Sequence, residues 1–248
     1  MNERRNEIFD IVSKKPTVTV KELSKILVVS EVTIRKDLSL LENQGLLRRT
    51  HGGAMQIASN SIEKRIHYRY DEKLKIVKEA VKLIEDGENV LIEAGSTNAI
   101  LAKELANKKG IHIITNSLYI SQMFTDNKNV KISILGGDIQ QESQTIVGPL
   151  AKLCLSRIAV NKAFIGMDGF SEKLGFTCGD FLRAEVGKEM CYRAEKVIVL
   201  AESSKFDNVG FTSIVELAKV SLVITDKQIN KEKLRILEEN NIKVTVAN

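Results

Sequence analysis

Residues 19–54 read TVKELSKILVVSEVTIRKDLSLLENQGLLRRTHGGA. Thr19 stands where a helix N-cap belongs, and Glu22 three residues on completes a capping-box pattern; Leu23, Ile26 and Leu27 then supply one apolar face. The two-residue junction Val28-Val29 leads to Ser30, a second N-cap, after which Ile34, Leu38 and Leu41 form the buried stripe of another helix. Gly45 is placed to stop that helix as its C′ residue. The next segment, Leu46 to Met55, reads as a basic β-ribbon turning at Gly52-Gly53.

Toward the start of the chain, Ile8, Ile11 and Val12 recur at helical spacing, and Pro16 ends the helix they predict. Helix, tight turn, helix and ribbon make a winged helix-turn-helix, provided the third helix has a face fit for a DNA groove. At 100° per residue, the direction opposite Ile34, Leu38 and Leu41 carries Val32, Lys36 and Ser39, flanked by Thr33, Arg35 and Leu40. Thr33, Arg35 and Lys36 can reach phosphates or base edges, and an outward Val32 can meet a thymine methyl. The competing account is a solvated helix with one stray valine. The DNA-contact set expected is therefore Ser30, Val32, Thr33, Arg35 and Lys36 on the helix, with Arg48, Arg49, His51 and Gly52 on the ribbon.

The charge distribution agrees. The 248 residues carry 37 Lys plus Arg and 32 Asp plus Glu, a formal net charge of +5. Through Lys75 there are 15 of the first kind and 10 of the second, while the remaining 173 residues hold 22 of each. All of the excess sits in the first third, as a polyanionic partner at that end requires. An apolar fraction of 43% excludes wholesale disorder. No apolar run approaches the roughly 18 residues of a membrane span, and Met-Asn-Glu-Arg-Arg leads into an amphipathic segment, so a cytoplasmic protein without a membrane partner is expected. Cys154, Cys178 and Cys191 are odd in number and scattered, which predicts reduced thiols. His51, His67 and His112 do not fall at metal-ligand spacing, so no metal site is expected.

Beyond the ribbon, Ser59 to Ser61 is the candidate linker, and Ile76, Ala80, Val81 and Ile84 mark a charged helix. Past Glu88 the texture changes to β-branched runs alternating with amphipathic segments: 89–93, 112–116, 131–135, 162–165, 196–201, 222–225 and 242–246. This alternation predicts a mostly parallel α/β sheet with helices on both faces. The expected division is a winged helix-turn-helix over 1–56, a linker and helix start over 57–75, and a second domain over 76–248.

In open α/β sheets ligands gather beyond the carboxyl ends of strands. The first run ends in Glu93-Ala-Gly95-Ser96-Thr97 and feeds a helix whose N–H groups and dipole suit a phosphate, although such turns also cap helices that bind nothing. Asn116, Gly136-Gly137, Asp168 and Lys205 follow later runs, and Thr177, Asp180, Arg183 and Glu185 lie just past Gly175-Phe176. Together they offer a convergent pocket, each with the plainer reading of a turn residue or a solvated charge.

These motifs resemble a known family. Thr19-Val-Lys-Glu-Leu, Ser30-Glu-Val-Thr-Ile-Arg-Lys-Asp-Leu and Gly45-Leu-Leu-Arg-Arg-Thr-His-Gly-Gly-Ala are similar to the helix-turn-helix of DeoR-type bacterial transcription regulators. Glu93-Ala-Gly-Ser-Thr, Thr115-Asn-Ser, Leu135-Gly-Gly, Val147-Gly, Lys162-Ala-Phe-Ile-Gly-Met-Asp-Gly, Gly175-Phe-Thr, Ser203-Ser-Lys-Phe and Thr225-Asp resemble their sensor domain. The resemblance covers nearly the whole chain. It implies a fold similar to ribose-5-phosphate isomerase, a phosphorylated sugar as effector, no other cofactor, operator DNA as partner and a homodimer or homotetramer, usually without catalysis. The implied effector contacts are Glu93, Gly95, Ser96, Thr97, Asn116, Gly136, Gly137, Asp168, Asp180, Glu185 and Lys205. Three positions depart from the pattern: Glu93 and Glu202 stand where Asp is more usual, and Val28 where the turn usually has Gly. The alternative function is a sugar-phosphate isomerase-like enzyme using Asp168, Asp180, Glu185 and Lys205.

Overall fold

The computed structural model describes residues 3–15, 17–56 and 61–248. The chain divides into two compact units, with the boundary after Asp71.

In the first unit α1 (Glu3–Lys14) buries Ile8 and Val12, and Pro16, expected to end it, lies outside the described residues. A short strand not anticipated from the sequence, β1 (Thr17–Thr19), comes next. Helix α2 (Val20–Leu27) starts with the full capping box: Thr19 Oγ1 accepts from the Glu22 N–H at 3.2 Å, and Glu22 Oε2 accepts from the Thr19 N–H at 2.8 Å. The turn residue Val28 adopts φ 53°, ψ 44°, a left-handed conformation that strains a β-branched side chain, and it is 87% exposed. Ser30 caps α3 (Glu31–Asn43) by accepting from the Thr33 N–H at 3.2 Å. At its end Gly45, at φ +67°, donates to the Glu42 carbonyl (2.8 Å) and Leu46 to the Leu41 carbonyl (3.0 Å), a Schellman motif.

Strands β2 (Leu47–Thr50) and β3 (Gly53–Gln56) pair with Thr50 opposite Gly53. The two turn residues are therefore His51 and Gly52, a correction of one residue to the expected Gly52-Gly53 turn. Gly53 serves instead as a strand residue: β1 pairs on the far side of β3, and a Cβ at Gly53 would lie 2.0 Å from the Val18 carbonyl oxygen. Ile8, Val12, Leu23, Ile34, Leu38, Leu41 and Leu47 close the core of this unit. Of the expected linker, 57–60 lie outside the described residues; α4 (Ile62–His67) and the start of α5 (Tyr70–Val81) occupy most of the rest.

The second unit begins within α5, which buries Ile76, Val77 and Ala80; Ile84 is buried in the turn after it. The chain continues through β4 (Asn89–Ile92), α6 (Ser96–Glu104), β5 (His112–Thr115), α7 (Leu118–Gln122) and β6 (Lys131–Ile134). A hairpin, β7 (Asp138–Gln140) and β8 (Thr145–Val147), precedes α8 (Pro149–Leu155) and β9 (Val160–Ile165). Then come β10 (Gly169–Ser171), β11 (Gly175–Cys178), α9 (Phe181–Tyr192), β12 (Ala194–Leu200), β13 (Thr212–Val215), β14 (Val220–Asp226), α10 (Lys231–Glu239) and β15 (Lys243–Ala247).

Seven strands form one parallel sheet in the order β15-β14-β12-β9-β4-β5-β6, and each contains or overlaps one of the seven runs read from the sequence. From β4 the chain winds outward to β5 and β6, then returns to β9 on the other side of β4 and winds the opposite way. The winding reverses between β4 and β9, the switch point at which such sheets open a crevice beyond the carboxyl ends of their strands. Strands β10, β11 and β13 form a small antiparallel sheet beyond that crevice. The rings of Phe170, Phe176 and Phe206 pack beneath it, with adjacent centroids 5.4 Å apart.

Candidate functional site

Each unit carries one candidate surface. In the first, α3 presents Val32 (73% exposed) and the exposed Arg35 and Lys36 on one side, with Thr33 half-buried beside the cap. Arg35 is joined to Glu31 at 2.8 Å within the helix. On the wing, Arg48, Arg49, His51 and Gly52 are exposed. Arg49 is tied to α3: its backbone N–H donates to Glu42 Oε1 (2.8 Å) and its guanidinium to Ser39 Oγ (2.7 Å). Those two bonds fix the wing against the helix it flanks. Two other arginines of this unit face inward, where Arg4 (2.6 Å) and Arg5 (3.8 Å) meet the buried Asp37. Net charge alone could not separate these from the outward set.

In the second unit the crevice is stitched across β4 and β9. The Glu93 N–H donates to the Phe164 carbonyl (3.0 Å), and Glu93 Oε2 accepts from the Gly166 N–H (3.0 Å). Asn98 Nδ2, fully buried in the first turn of α6, donates to the carbonyls of Glu93 (2.9 Å) and Phe164 (3.2 Å), so one side chain clamps both strand ends. Among the described residues its Oδ1 has no hydrogen-bond partner. The sequence reading passed over Asn98, although a lone Asn before the apolar Ala-Ile-Leu-Ala run of α6 marks it out. Among the described residues no side chain caps α6, so the N–H groups of its first turn, next to Gly95, Ser96 and Thr97, open toward the strand ends.

Asp168, just beyond β9, accepts at Oδ2 from the Gly179 N–H (3.0 Å), Arg183 Nη2 (3.3 Å) and Cys178 Sγ (3.4 Å). Burial alone would raise its carboxyl pKa, but the charges of Arg183 and Lys205 and these bonds outweigh burial and hold it below the ordinary value. Burial and the neighbouring Asp168 push the Cys178 thiol up to about 12, so it stays protonated. Arg183 also lies in the field of Glu93, and Lys205, on the short 3₁₀ turn Ser203–Asp207, acts on both Asp168 and Glu202. The crevice thus gathers Glu93, Gly95, Ser96, Thr97, Asp168, Arg183 and Lys205. It offers carboxylates that accept from hydroxyls, and cations plus a helix N-terminus that accommodate an anion.

Four of the expected contacts are used otherwise. Asn116 is fully buried, its Oδ1 taking the Ala94 N–H (2.8 Å) and its Nδ2 donating to the Ile146 carbonyl (3.3 Å), so it holds the β4 loop in place. Asp180 caps α9 by accepting from the Arg183 N–H (2.8 Å) and also accepts from Gln140 Nε2 (3.1 Å). Glu185 pairs with Lys152 on α8 at 2.7 Å. Gly137, at φ +146°, passes so close to β8 that a Cβ would lie 2.4 Å from the Val147 carbonyl oxygen, which makes it a packing glycine. Gly136 beside it follows the edge strand β6, two strands away from β4. Thr177 Oγ1 accepts from the Gly210 N–H (2.7 Å) at the small sheet. Among the described residues no cluster of His, Cys, Asp and Glu is arranged to hold a metal, and no helix is long and apolar enough to cross a membrane.

An exposed, basic helix and wing, followed by an α/β unit with a polar crevice at its switch point, suit a DNA-binding transcriptional regulator with a second domain. The comparisons agree with both halves: residues 4–60 match the DeoR-like helix-turn-helix domain and residues 68–227 the DeoR C terminal sensor domain. The chain belongs to the DeoR family of transcriptional regulators. It is 34% identical over 251 residues to the uncharacterized HTH-type transcriptional regulator YulB of Bacillus subtilis, covering 99% of this chain and 96% of that one. The HTH-type transcriptional repressor GlcR of the same organism is 33% identical (99% and 96% covered). The lactose phosphotransferase system repressor of Streptococcus mutans is 31% identical (96% of each). Among solved structures, ribose 5-phosphate isomerase A of Methanocaldococcus jannaschii overlaps 55% of this chain and 54% of its own, at 25% identity and a TM-score of 0.41. The relatives are named as regulators, and the helix-turn-helix is the part an isomerase has no use for, so the enzyme alternative does not hold.

Proposed function

We propose that this regulator represses a sugar or sugar-alcohol utilisation operon and is released from its operator by a phosphorylated sugar. In this reading it binds double-stranded operator DNA as a homodimer or homotetramer. Ser30, Val32, Thr33, Arg35 and Lys36 on α3 face the major groove, with Arg48, Arg49, His51 and Gly52 on the wing beside it. The phosphate sits at the first turn of α6 near Lys205, and the sugar hydroxyls meet Glu93 and Asp168.

The observation that carries the reading is the crevice between β4 and β9, where an uncapped helix N-terminus, two carboxylates and two cations converge. The names of relatives support it: one is a lactose phosphotransferase system repressor, another a putative aga operon transcriptional repressor. The test is fluorescence anisotropy of the full chain on DNA from upstream of its own gene. It is titrated with glucose 6-phosphate, fructose 1-phosphate, ribose 5-phosphate and inorganic phosphate, with the parent sugars as controls. At least one sugar phosphate should weaken operator binding by roughly fivefold or more, the size of ordinary allosteric coupling, while its parent sugar does nothing. An unchanged affinity across the panel rejects the sensing half of the proposal.

A further inference from the structure

Lys73 is the cation that the sensing crevice leaves unexplained. It sits on α5, one turn before Ile76 and Val77, and its side chain is 1% exposed. Its Nζ lies 3.1 Å from Glu202 Oε1, whose side chain is 4% exposed. Burial would raise the Glu202 carboxyl pKa, and the charges of Lys73 and Lys205 reverse that and hold it low, so the pair is ionised. Packed apolar side chains would stabilise such a place at least as well as an ion pair, so stability alone does not explain it.

Its position gives the other reason. Glu202 immediately precedes the 3₁₀ turn that carries Lys205. At the other partner, α5 begins at Tyr70, directly after Tyr68 and Arg69. Within the first unit those two residues are fastened to α1: the Tyr68 hydroxyl donates to Asp10, Arg69 Nη2 lies 2.9 Å from Asp10 Oδ2, and the rings of Phe9 and Tyr68 pack with centroids 4.7 Å apart. Lys73 follows Arg69 by four residues, about one helical turn.

We infer that the Lys73–Glu202 ion pair is the joint through which an anion beside Lys205 acts on the DNA-binding unit. The inference rests on the sensing role proposed for the crevice. An anion that engages Lys205 withdraws a cation from Glu202 and leaves Lys73 to neutralise it. A buried carboxylate does not give up its remaining partner, so movement of the Ser203–Asp207 turn draws Lys73 and turns α5 with it. The start of α5 is continuous with the Tyr68–Arg69 segment on α1, and the movement reaches the winged helix along that segment.

Coupling between two sites is reciprocal, so it can be read without knowing the ligand. The full-length protein is studied by hydrogen–deuterium exchange with and without saturating operator DNA, as wild type and as Lys73→Met/Glu202→Leu. Glu202→Gln, which removes one charge at constant shape, is the second variant should the double one fold poorly. In the wild type, DNA should change exchange of the 203–207 amides by roughly fivefold. In either variant that change should fall below about twofold, while operator affinity stays within about threefold of wild type. Equal responses in wild type and variants, or no response in the wild type, overturn the joint. Binding of fructose 1-phosphate and inorganic phosphate, followed by calorimetry, separates the two ideas. If neither binds while the exchange response behaves as stated, the joint stands and the phosphate reading falls. If they bind and release DNA equally from wild type and variants, the joint falls and the reading stands.

Discussion

The DNA-binding unit keeps cross-element ion pairs at Arg4–Asp37 and Arg69–Asp10, but it leaves Lys36 and Arg48 in solvent and uses Thr19, Glu22 and Ser30 for local caps. The sensor unit pairs its charges across elements: Glu93 with the Gly166 amide, Asp168 with Arg183, Glu202 with Lys73. A surface that meets a polyanion gains from unpaired cations, which exchange small counterions for phosphates. A crevice that takes one small anion, as proposed for this one, gains from groups fixed in place, because a field of loose cations would bind any anion. Removing a charge should therefore cost folding stability in the crevice of the second unit and DNA affinity at the exposed Lys36 and Arg48 of the first, whose Arg4–Asp37 pair is a structural pair of the crevice kind.

The largest effect should come from Arg183→Ala. It leaves Asp168 half-buried without its guanidinium, and after discount for the carboxylate's 32% exposure the loss should be about 2 kcal/mol in urea unfolding of the full chain. A cost under about 0.5 kcal/mol would mean that the pair behaves like any surface ion pair, and the contrast between the units would dissolve.

Next in size is Lys36→Ala, which should weaken operator and unrelated DNA alike by about tenfold, near 1.4 kcal/mol, and reduce the log–log salt slope by about 0.9. Unfolding of the protein should be unchanged, since Lys36 is exposed. Val32→Ala should instead reorder preferences among operator variants at A·T positions while sparing unrelated DNA. Competition titrations on both kinds of DNA check the two together, and equal losses on every sequence from both changes would contradict this division of roles.

How much of this was legible depended on length and on partners. All seven parallel strands and both helix caps of the first unit were readable, because an apolar run or a cap box is a local pattern. The strands β1, β7, β8 and β10 were not, since each is three residues long and exists through pairing with a distant segment, as Thr17–Thr19 does with Gly53–Met55. The same limit governed the crevice. Glu93, Gly95, Ser96, Thr97, Asp168 and Lys205 stand out in the sequence because they follow strand-like runs, and strand ends are where such sheets collect ligands. Asn116 and Asp180 carried the right chemistry, but the Ala94 amide and the α9 first turn claim it, and sequence shows a donor or acceptor without showing who uses it. Lys73 left a readable trace: it stands at i−3 and i−4 from Ile76 and Val77, on the apolar stripe of its helix.

A smaller effect, of opposite sign, should come from Val28→Gly. The left-handed conformation at Val28 costs a β-branched residue roughly 1–2 kcal/mol, and the glycine recovers part of that while enlarging the unfolded ensemble. Because the side chain is 87% exposed, almost no packing is lost, and a net gain of about 1 kcal/mol in the first unit is expected from thermal unfolding. A loss in stability would show that the exposed valine has a packing role.

The finest discriminator between the units is how salt alters their response to acid. Both hold a carboxylate whose pKa is lowered by folding: Glu22, through hydrogen bonds from the Thr19 backbone and side chain, and Asp168, where Arg183, Lys205 and two further donors outweigh burial. A carboxyl group whose folded value lies below its unfolded one, near 4, adds stability that is complete above that value and is lost as pH falls through the folded value. Stability of each unit should therefore decline below about pH 4, and Asp168→Asn and Glu22→Gln should each flatten the decline in their own unit. Raising salt to about 1 M, where the Debye length is near 3 Å, should shrink the electrostatic part for the exposed Glu22 and leave most of that for Asp168, which stands in a crevice beside a nearly buried arginine. Equal salt sensitivity of the two acid limbs, followed by unit-specific hydrogen exchange, would show that the crevice is as open to ions as the exposed capping box of α2.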